Sequence, residues 1–213
     1  MIRVRQELEE AQFQGSTSCK DIEILDSLPL LQSIYSEVLR LRVEGQHVLY
    51  SNKDFCLQNW LFPKHRLVLV PTSAAHLNKD FWNTKSDTHP LDTFWSDRFL
   101  VYDNDPTSGP KRPSPAVRYT ETKGSGKGKA TMRFKDNSLS DGFIPYGVGE
   151  RICPGRAFSR REILVFCGVM VHNFDIELLT HQRDFGSSMK FFGVGTESPA
   201  ERIPFKIRVR SVT

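Results

Sequence analysis

The segment Phe143-Ile-Pro-Tyr146-Gly147-Val-Gly149-Glu-Arg151-Ile-Cys153-Pro-Gly155 holds the residues best suited to chemistry. It sets one cysteine in a glycine-rich loop, two residues after an arginine and just ahead of a helical pattern. Each part suits a thiolate that must hold a metal inside a flat macrocycle. Glycines at 147, 149 and 155 open backbone angles closed to other residues and let a planar ligand lie against the main chain. Pro154 fits the first position of a helix, which would set Cys153 at the positive end of that helix. Such a position favours the thiolate, the form that ligates metals. Arg151 offers a fork of donors for a carboxylate on the ligand. The plainer reading is a buried structural cysteine in a turn; the number of agreeing positions disfavours it.

Other chemistries fail on detail. Gly147 and Gly149 lack the third glycine, three residues on, that a dinucleotide loop requires. In Gly124-Ser-Gly126-Lys-Gly128-Lys129-Ala130, Lys123 stands where a phosphate loop needs its first glycine, and Ala130 where it needs Ser or Thr. There is no His-Glu-x-x-His for zinc and no Gly-x-Ser-x-Gly for a serine nucleophile. Cys167 sits in an apolar run and reads as packing, while Cys19 and Cys56 have no assignable chemistry. His76, His172 and His181 read as ordinary core or surface histidines.

The elements that must position the loop follow from periodicity. Residues 1–27 read as a charged helix and a polar break at Gly15-Ser-Thr-Ser18, and a second helix starts near Pro29. Leu31, Ile34, Tyr35, Val38, Leu39 and Leu41 give that second helix an apolar face. Glu37 and Arg40 share one of its faces, an arrangement that is usually solvated and of little energetic consequence. Residues 54–58 and 66–71, joined through Pro63-Lys-His65, predict a hairpin. From Lys79 to Asp141 the pattern is irregular, with a flexible surface loop expected over 103–131. Residues 155–173 read as a helix whose stretch Ile163–Val171, apolar on all sides, is expected to be buried. Strand-like pieces at Phe174–Leu179 and Pro204–Arg210 close the chain.

Composition narrows the class. With 213 residues, 38% hydrophobic and 25% charged, the chain suits a globular protein with a substantial core. A net charge of +4, with its basic residues dispersed, implies no nucleic acid. Four cysteines without paired spacing fit a reducing, intracellular compartment. The start, MIRVRQELEE, has neither a signal-peptide nor an anchor pattern.

The cysteine loop resembles, in extended form, the haem-binding signature Phe-x-x-Gly-x-Arg-x-Cys-x-Gly of the cytochrome P450s. Phe143 leads it, and Gly149, Arg151, Cys153 and Gly155 fall in register. The family also has Glu-x-x-Arg, matched by Glu37 and Arg40, and a later arginine motif, matched by Phe94-Trp-Ser-Asp-Arg98-Phe99. By this resemblance Glu37, Arg40 and Arg98 form a buried charge triad. Pro63-Lys64, Leu67–Pro71, Ala75-His76 and Glu162 also match, so the likeness runs over residues 28–210. It implies an α+β arrangement, the C-terminal portion of the mainly-α cytochrome P450 fold. That portion comprises the Glu-x-x-Arg helix, a β-hairpin, an irregular meander, the cysteine-ligand loop and a following buried helix. On this reading residues 28–213 are the haem-binding part.

There are departures from the family pattern. His65 replaces the usual glycine of the hairpin, so that turn is expected to be altered. Ser96 replaces a proline, and Leu49 and Tyr50 stand where many members place a propionate-binding arginine. His47 is nearby and could stand in for that arginine, but, like His76, His172 and His181, it reads first as an ordinary surface or core histidine. Nothing in residues 1–36 resembles the family's oxygen-activating helix, so the chain reads as the C-terminal, haem-ligating part of a longer protein.

The resemblance implies a haem-thiolate monooxygenase that inserts one atom of O2 into a small organic substrate. Its cofactor would be haem b (iron protoporphyrin IX). Cys153 would be the iron ligand, Arg151 a propionate contact, and Phe143, Gly147 and Gly155 part of the cofactor cradle. Electrons would come from an NADPH-dependent reductase or another donor, and a full-length eukaryotic form would sit on the endoplasmic reticulum membrane. A haem-thiolate isomerase or dehydratase is a variant of this class. The alternative is a non-catalytic, truncated remnant or interaction protein with little or no haem binding.

Overall fold

The computed structural model describes residues 1–114, 131–135, 142–180, 185–188, 190, 193 and 195–210. Its first 42 residues make three helices, α1 (Ile2–Glu10), α2 (Cys19–Ser27) and α3 (Pro29–Arg42). The single charged helix and polar break expected over 1–27 are thus two helices around a short break. The break turns at Gln12 and Gly15, both with positive φ. Ser18 then starts α2 as its N-cap, its hydroxyl accepting the Asp21 N–H at 3.2 Å. Pro29 occupies the first turn of α3. The Glu7 carboxylate of α1 accepts the N–H groups of Leu30 and Leu31 at 2.7 and 3.0 Å. A negative charge on a helix N-terminus is favourable there, and it ties α1 to α3.

After α3 the chain runs through β1 (Gln46–Tyr50), β2 (Phe55–Leu57), β3 (Trp60–Phe62) and β4 (Leu67–Pro71). The expected pairing of 54–58 with 66–71 does not form. Instead β4 pairs antiparallel with β1, from Gln46↔Pro71 to Tyr50↔Leu67, and β2 pairs with β3. Gln58, at φ 53°, makes the tight turn between β2 and β3, and Phe55 stacks on Phe62 at 4.8 Å. This small hairpin is therefore nested inside a wider one. His65 holds φ 61°, the left-handed conformation that a glycine takes most readily.

Helix α4 (Thr72–His76) follows at once, then an irregular stretch to β5 (Leu100–Tyr102), which pairs with β6 (Met132–Phe134). These two strands frame the loop expected over 103–131, of which 115–130 lie outside the described residues, as does the glycine–lysine tract. Helix α5 (Arg156–Asn173) leads into β7 (Phe174–Leu178), which pairs with β8 (Phe205–Val209) close to the expected limits.

One apolar core joins Leu8 of α1, Leu25 of α2, Leu31 and Leu39 of α3, Leu100 of β5 and Leu164 of α5. The first 27 residues therefore belong to the same core as α3 and α5. A second, smaller cluster is formed by Trp82, Leu91 and Phe99, and Phe143 packs against both. The expected burial of Ile163–Val171 is corrected: only Leu164 and Gly168 are buried, while Phe166 is 64% exposed. The helices α1, α2 and α3 cover one side of α5. A Cβ on Gly168 would lie 2.5 Å from Leu25, which shows how close α2 approaches. Among the described residues, no helix is long and apolar enough to cross a membrane.

Candidate functional site

Glu37 and Arg40 sit one turn apart on α3 and face inward rather than to solvent. Arg40 gives its Nε–H and an Nη2–H to the two Glu37 oxygens at 2.8 and 2.9 Å. Arg98, from the irregular stretch before β5, gives its Nε–H to the same carboxylate. All three side chains are fully buried. Two cations around one anion leave a positive charge in the interior, and this requires further acceptors. Arg40 Nη1 reaches the carbonyl of His76 at 2.9 Å, and Arg98 reaches the carbonyls of Asn83 and Pro90. The Trp95 N–H adds a bond to Glu37 at 3.1 Å. Ring faces complete the shell, with Arg40 5.6 Å from the centre of Trp82 and Arg98 5.1 Å from that of Trp95. Burial lowers the pKa of Arg98, and the Glu37 charge opposes it. The expected triad is therefore assembled, and it staples the irregular 83–98 stretch to α3.

Ser33, one turn earlier on α3, was not foreseen. Its hydroxyl donates to the Ser96 carbonyl at 2.6 Å and accepts the Phe99 N–H at 3.2 Å. Sequence gives little signal for such a contact, because a serine in a helix usually reads as a neutral surface residue.

The cysteine loop is pinned at its start and at its turn. The Phe143 ring lies 5.0 Å from Phe99, 5.6 Å from His76 and 6.0 Å from Trp82. The Ile144 N–H donates to the buried Nε2 of His76 at 3.1 Å. At Tyr146 the backbone carbonyl accepts the Cys153 N–H at 2.9 Å. The Tyr146 phenol is bonded to that of Tyr35 on α3. Burial, and then the bond to Tyr35, push the Tyr146 phenol up, so this pair stays neutral. The helical pattern puts Tyr35 on the apolar face of α3 and gives no sign of this polar role.

Between these pins, Gly147 (φ 87°) and Gly149 (φ 65°) hold left-handed conformations that explain both glycines. Gly155 does not: its φ is −80°, open to any residue. The helix also begins later than expected, at Arg156, so Pro154 and Gly155 form a turn before it. Cys153 lies outside the first turn, where the helix dipole acts more weakly than the sequence reading supposed. Its carbonyl instead accepts from Arg156, through the backbone N–H at 3.4 Å and the guanidinium at 3.0 Å.

The Cys153 side chain is exposed at the mouth of this loop, unlike Cys167, which packs against the core. Arg151 is exposed beside it, with no hydrogen bond or ion pair among the described residues. His47, on β1, comes up against the loop: a Cβ on Gly147 would lie 3.4 Å from its ring. The His47 Nε2 is buried and unpartnered. Among the described residues, no three His, Cys, Asp or Glu side chains gather to hold a bare ion. One thiolate here suits a metal whose other ligands come with a macrocycle. Leu49 and Tyr50 carry no cation on β1, and the exposed Glu162 is on α5.

The family model for Cytochrome P450 matches residues 1–205. A cytochrome P450 monooxygenase of Hormonema carpetanum is 38% identical over 99% of this chain, which spans 38% of that protein's length. Another, of Humicola fuscoatra, is 35% identical over 90% of this chain and 33% of its own length. In fold, the retinoic-acid-bound cyanobacterial CYP120A1 is similar, with a TM-score of 0.66, 22% identity, and coverage of 98% of this chain and 38% of that one. The chain thus spans about a third of the length of these proteins.

Proposed function

This chain belongs to the cytochrome P450 family, and from that premise we propose that it supplies the thiolate side of a haem-thiolate monooxygenase. Cys153 Sγ is the iron ligand in this reading. Arg151 and His47 carry the propionates, and Phe143 and Gly147 hold the proximal side. The residues fit such a group. The His47 Nε2 is an orphaned buried polar atom, and the His47 ring lies against Gly147. Arg151 keeps a full fork of donors for a carboxylate. When bound, a thiolate-held haem supplies the electron density that favours O–O cleavage.

The chain's own residues orient the sulfur. The Tyr146 carbonyl, holding the Cys153 N–H, fixes the backbone to which the ligand side chain is attached. The guanidinium of Arg156 holds the carbonyl on the other side. The Tyr35–Tyr146 bond and the triad relate both to α3, so the cysteine is placed by the core rather than by a free loop. Oxygen insertion into a small organic substrate, with electrons from an NADPH-dependent reductase or another donor, completes the proposal.

The observation that carries it is the exposed Cys153 on a loop otherwise bonded to the interior. Alkylation of the purified chain with iodoacetamide tests it. Cys153 should react in the absence of haem and be protected by one equivalent of haem, while the exposed Cys19 and Cys56 react in both cases. Labelling of Cys153 that haem does not change would overturn the reading.

A further inference from the structure

His76 lies between the charge triad and the cysteine loop, and it is bonded to both. Its side chain is fully buried. Its carbonyl accepts from Arg40 at 2.9 Å, and its Nε2 accepts the Ile144 N–H at 3.1 Å. One step further, the Gly147 N–H returns to the Ile144 carbonyl at 3.2 Å, which begins the turn toward Cys153. An unbroken line of bonds therefore runs from Glu37 through Arg40 and the His76 residue to the start of the loop.

The geometry points to His76 as a positioning residue for the cysteine loop, acting as a neutral imidazole that carries its proton on Nδ1 and accepts on Nε2. The tautomer follows from the bond. A backbone N–H cannot donate to a nitrogen that itself bears hydrogen, so Nε2 must be bare. The Nδ1–H is then left buried without a partner, and a buried, unmet donor is normally selected against. An apolar or smaller residue would avoid that cost unless the acceptor at Nε2 were needed. The surroundings keep the ring neutral. Burial, and then the Arg40 charge on α3, hold its pKa down at about 4. The Phe143 ring packs against the imidazole at 5.6 Å, and the Trp82 Nε1–H clamps the Ala75 carbonyl of α4 at 2.8 Å. His76 touches no reacting atom. Its role is to transmit where α3 stands to where the loop begins.

The proposal takes its functional meaning from Cys153 as the ligand, but it is tested without haem. Glutamine sets its amide oxygen near the place of Nε2; asparagine sets its own near the place of Nδ1. The experiment is amide hydrogen exchange on the haem-free 213-residue chain, with nitrogen NMR of the His76 ring. The ring should show hydrogen on Nδ1. The Ile144 amide should keep its protection in His76→Gln and lose it by about tenfold in His76→Asn. The amides of Leu39 and Leu164 should not change. In haem-loaded protein, His76→Asn should also shift the Soret band of the reduced carbon monoxide complex, and His76→Gln should not. Hydrogen on Nε2, equal protection of Ile144 in wild type and His76→Asn, or its loss in His76→Gln would overturn the proposal. The expected exchange pattern in a chain that fails to bind haem would uphold the positioning role and sink the haem reading instead.

Discussion

Arg98 donates its Nε–H to both carboxylate oxygens of Glu37, at 3.0 and 3.1 Å, from 61 positions away in sequence. With Arg40 and the Trp95 N–H, this gives Glu37 a set of donors in a region closed to water. Removing the anion strands two buried cations, which costs about 3–5 kcal/mol. Glu37→Ala should therefore lose a large share of the stability of an ordinary domain, which is about 5–15 kcal/mol. Urea unfolding measures this, and a loss below about 1 kcal/mol would show that the triad does not hold the fold.

Stability should fall between pH 6.5 and 4 because of His76. Its pKa is lowered in the folded chain, to about 4, so below pH 6.5 the unfolded chain binds a proton that the folded chain refuses. Stability is full above the unfolded value and falls as pH drops toward the folded one, by about 3 kcal/mol in all. Arg40 on α3 and His47 on β1 both disfavour the charged ring. His76→Gln cannot titrate and should lose this part of the pH dependence. Unfolding curves at pH 7 and pH 4.5, compared between the two proteins, measure the difference. Parallel pH profiles would contradict the assignment.

The open side of α5 should tolerate polar residues. Phe158 and Phe166 are 73% and 64% exposed and rim, with Ile22, Val169 and Met170, a shallow hollow of about 740 Å³. Phe158→Ser with Phe166→Ser should change stability by less than about 1 kcal/mol and reduce the binding of an apolar dye. A loss of about 3 kcal/mol would mean that these rings are packed in the folded chain.

His65 should be a mild source of strain. A left-handed conformation costs a non-glycine residue about 1–2 kcal/mol, here offset in part by the bond of 2.6 Å between its Nδ1 and the Tyr50 hydroxyl. That bond is exposed and worth little. Thermal unfolding of His65→Gly should show unchanged or slightly higher stability, and a marked loss would show that the histidine side chain holds the turn.

The parts legible in sequence were those where residue type alone imposes the answer. A cysteine among glycines and an arginine specifies its surroundings strongly, whereas Glu37, Arg40 and Arg98 were legible as a triad only through the family resemblance, since Glu37 and Arg40 alone read as a solvated pair. The strands β7 and β8 were legible from short β-like runs bounded by turn residues. The pairing of β1 with β4 was not, because Gln46 and His47 blur the apolar alternation and the turn at Gln58 bears no glycine. Helix α2 was hidden by its own N-cap: Ser16, Thr17 and Ser18 read as a break, and the last of them caps the helix that starts at Cys19. The burial of α5 was misjudged because local composition does not say which neighbours are present to cover it. In sequence Tyr35 belongs to an apolar helix face and His76 reads as an ordinary core or surface histidine. Their polar roles depend on groups 111 and 68 positions away, a distance at which one sequence carries no signal.

The ligand itself is read most directly from the reduced, carbon monoxide-bound spectrum of the haem-loaded protein. Wild type should give the red-shifted Soret band of thiolate ligation, and Cys153→His should move it to the position typical of histidine-bound haem. Cys167→Ser should leave the band in place, since that thiol packs against the core. A Cys153→His spectrum identical to that of wild type would contradict the account, because the iron would then be held by some other group.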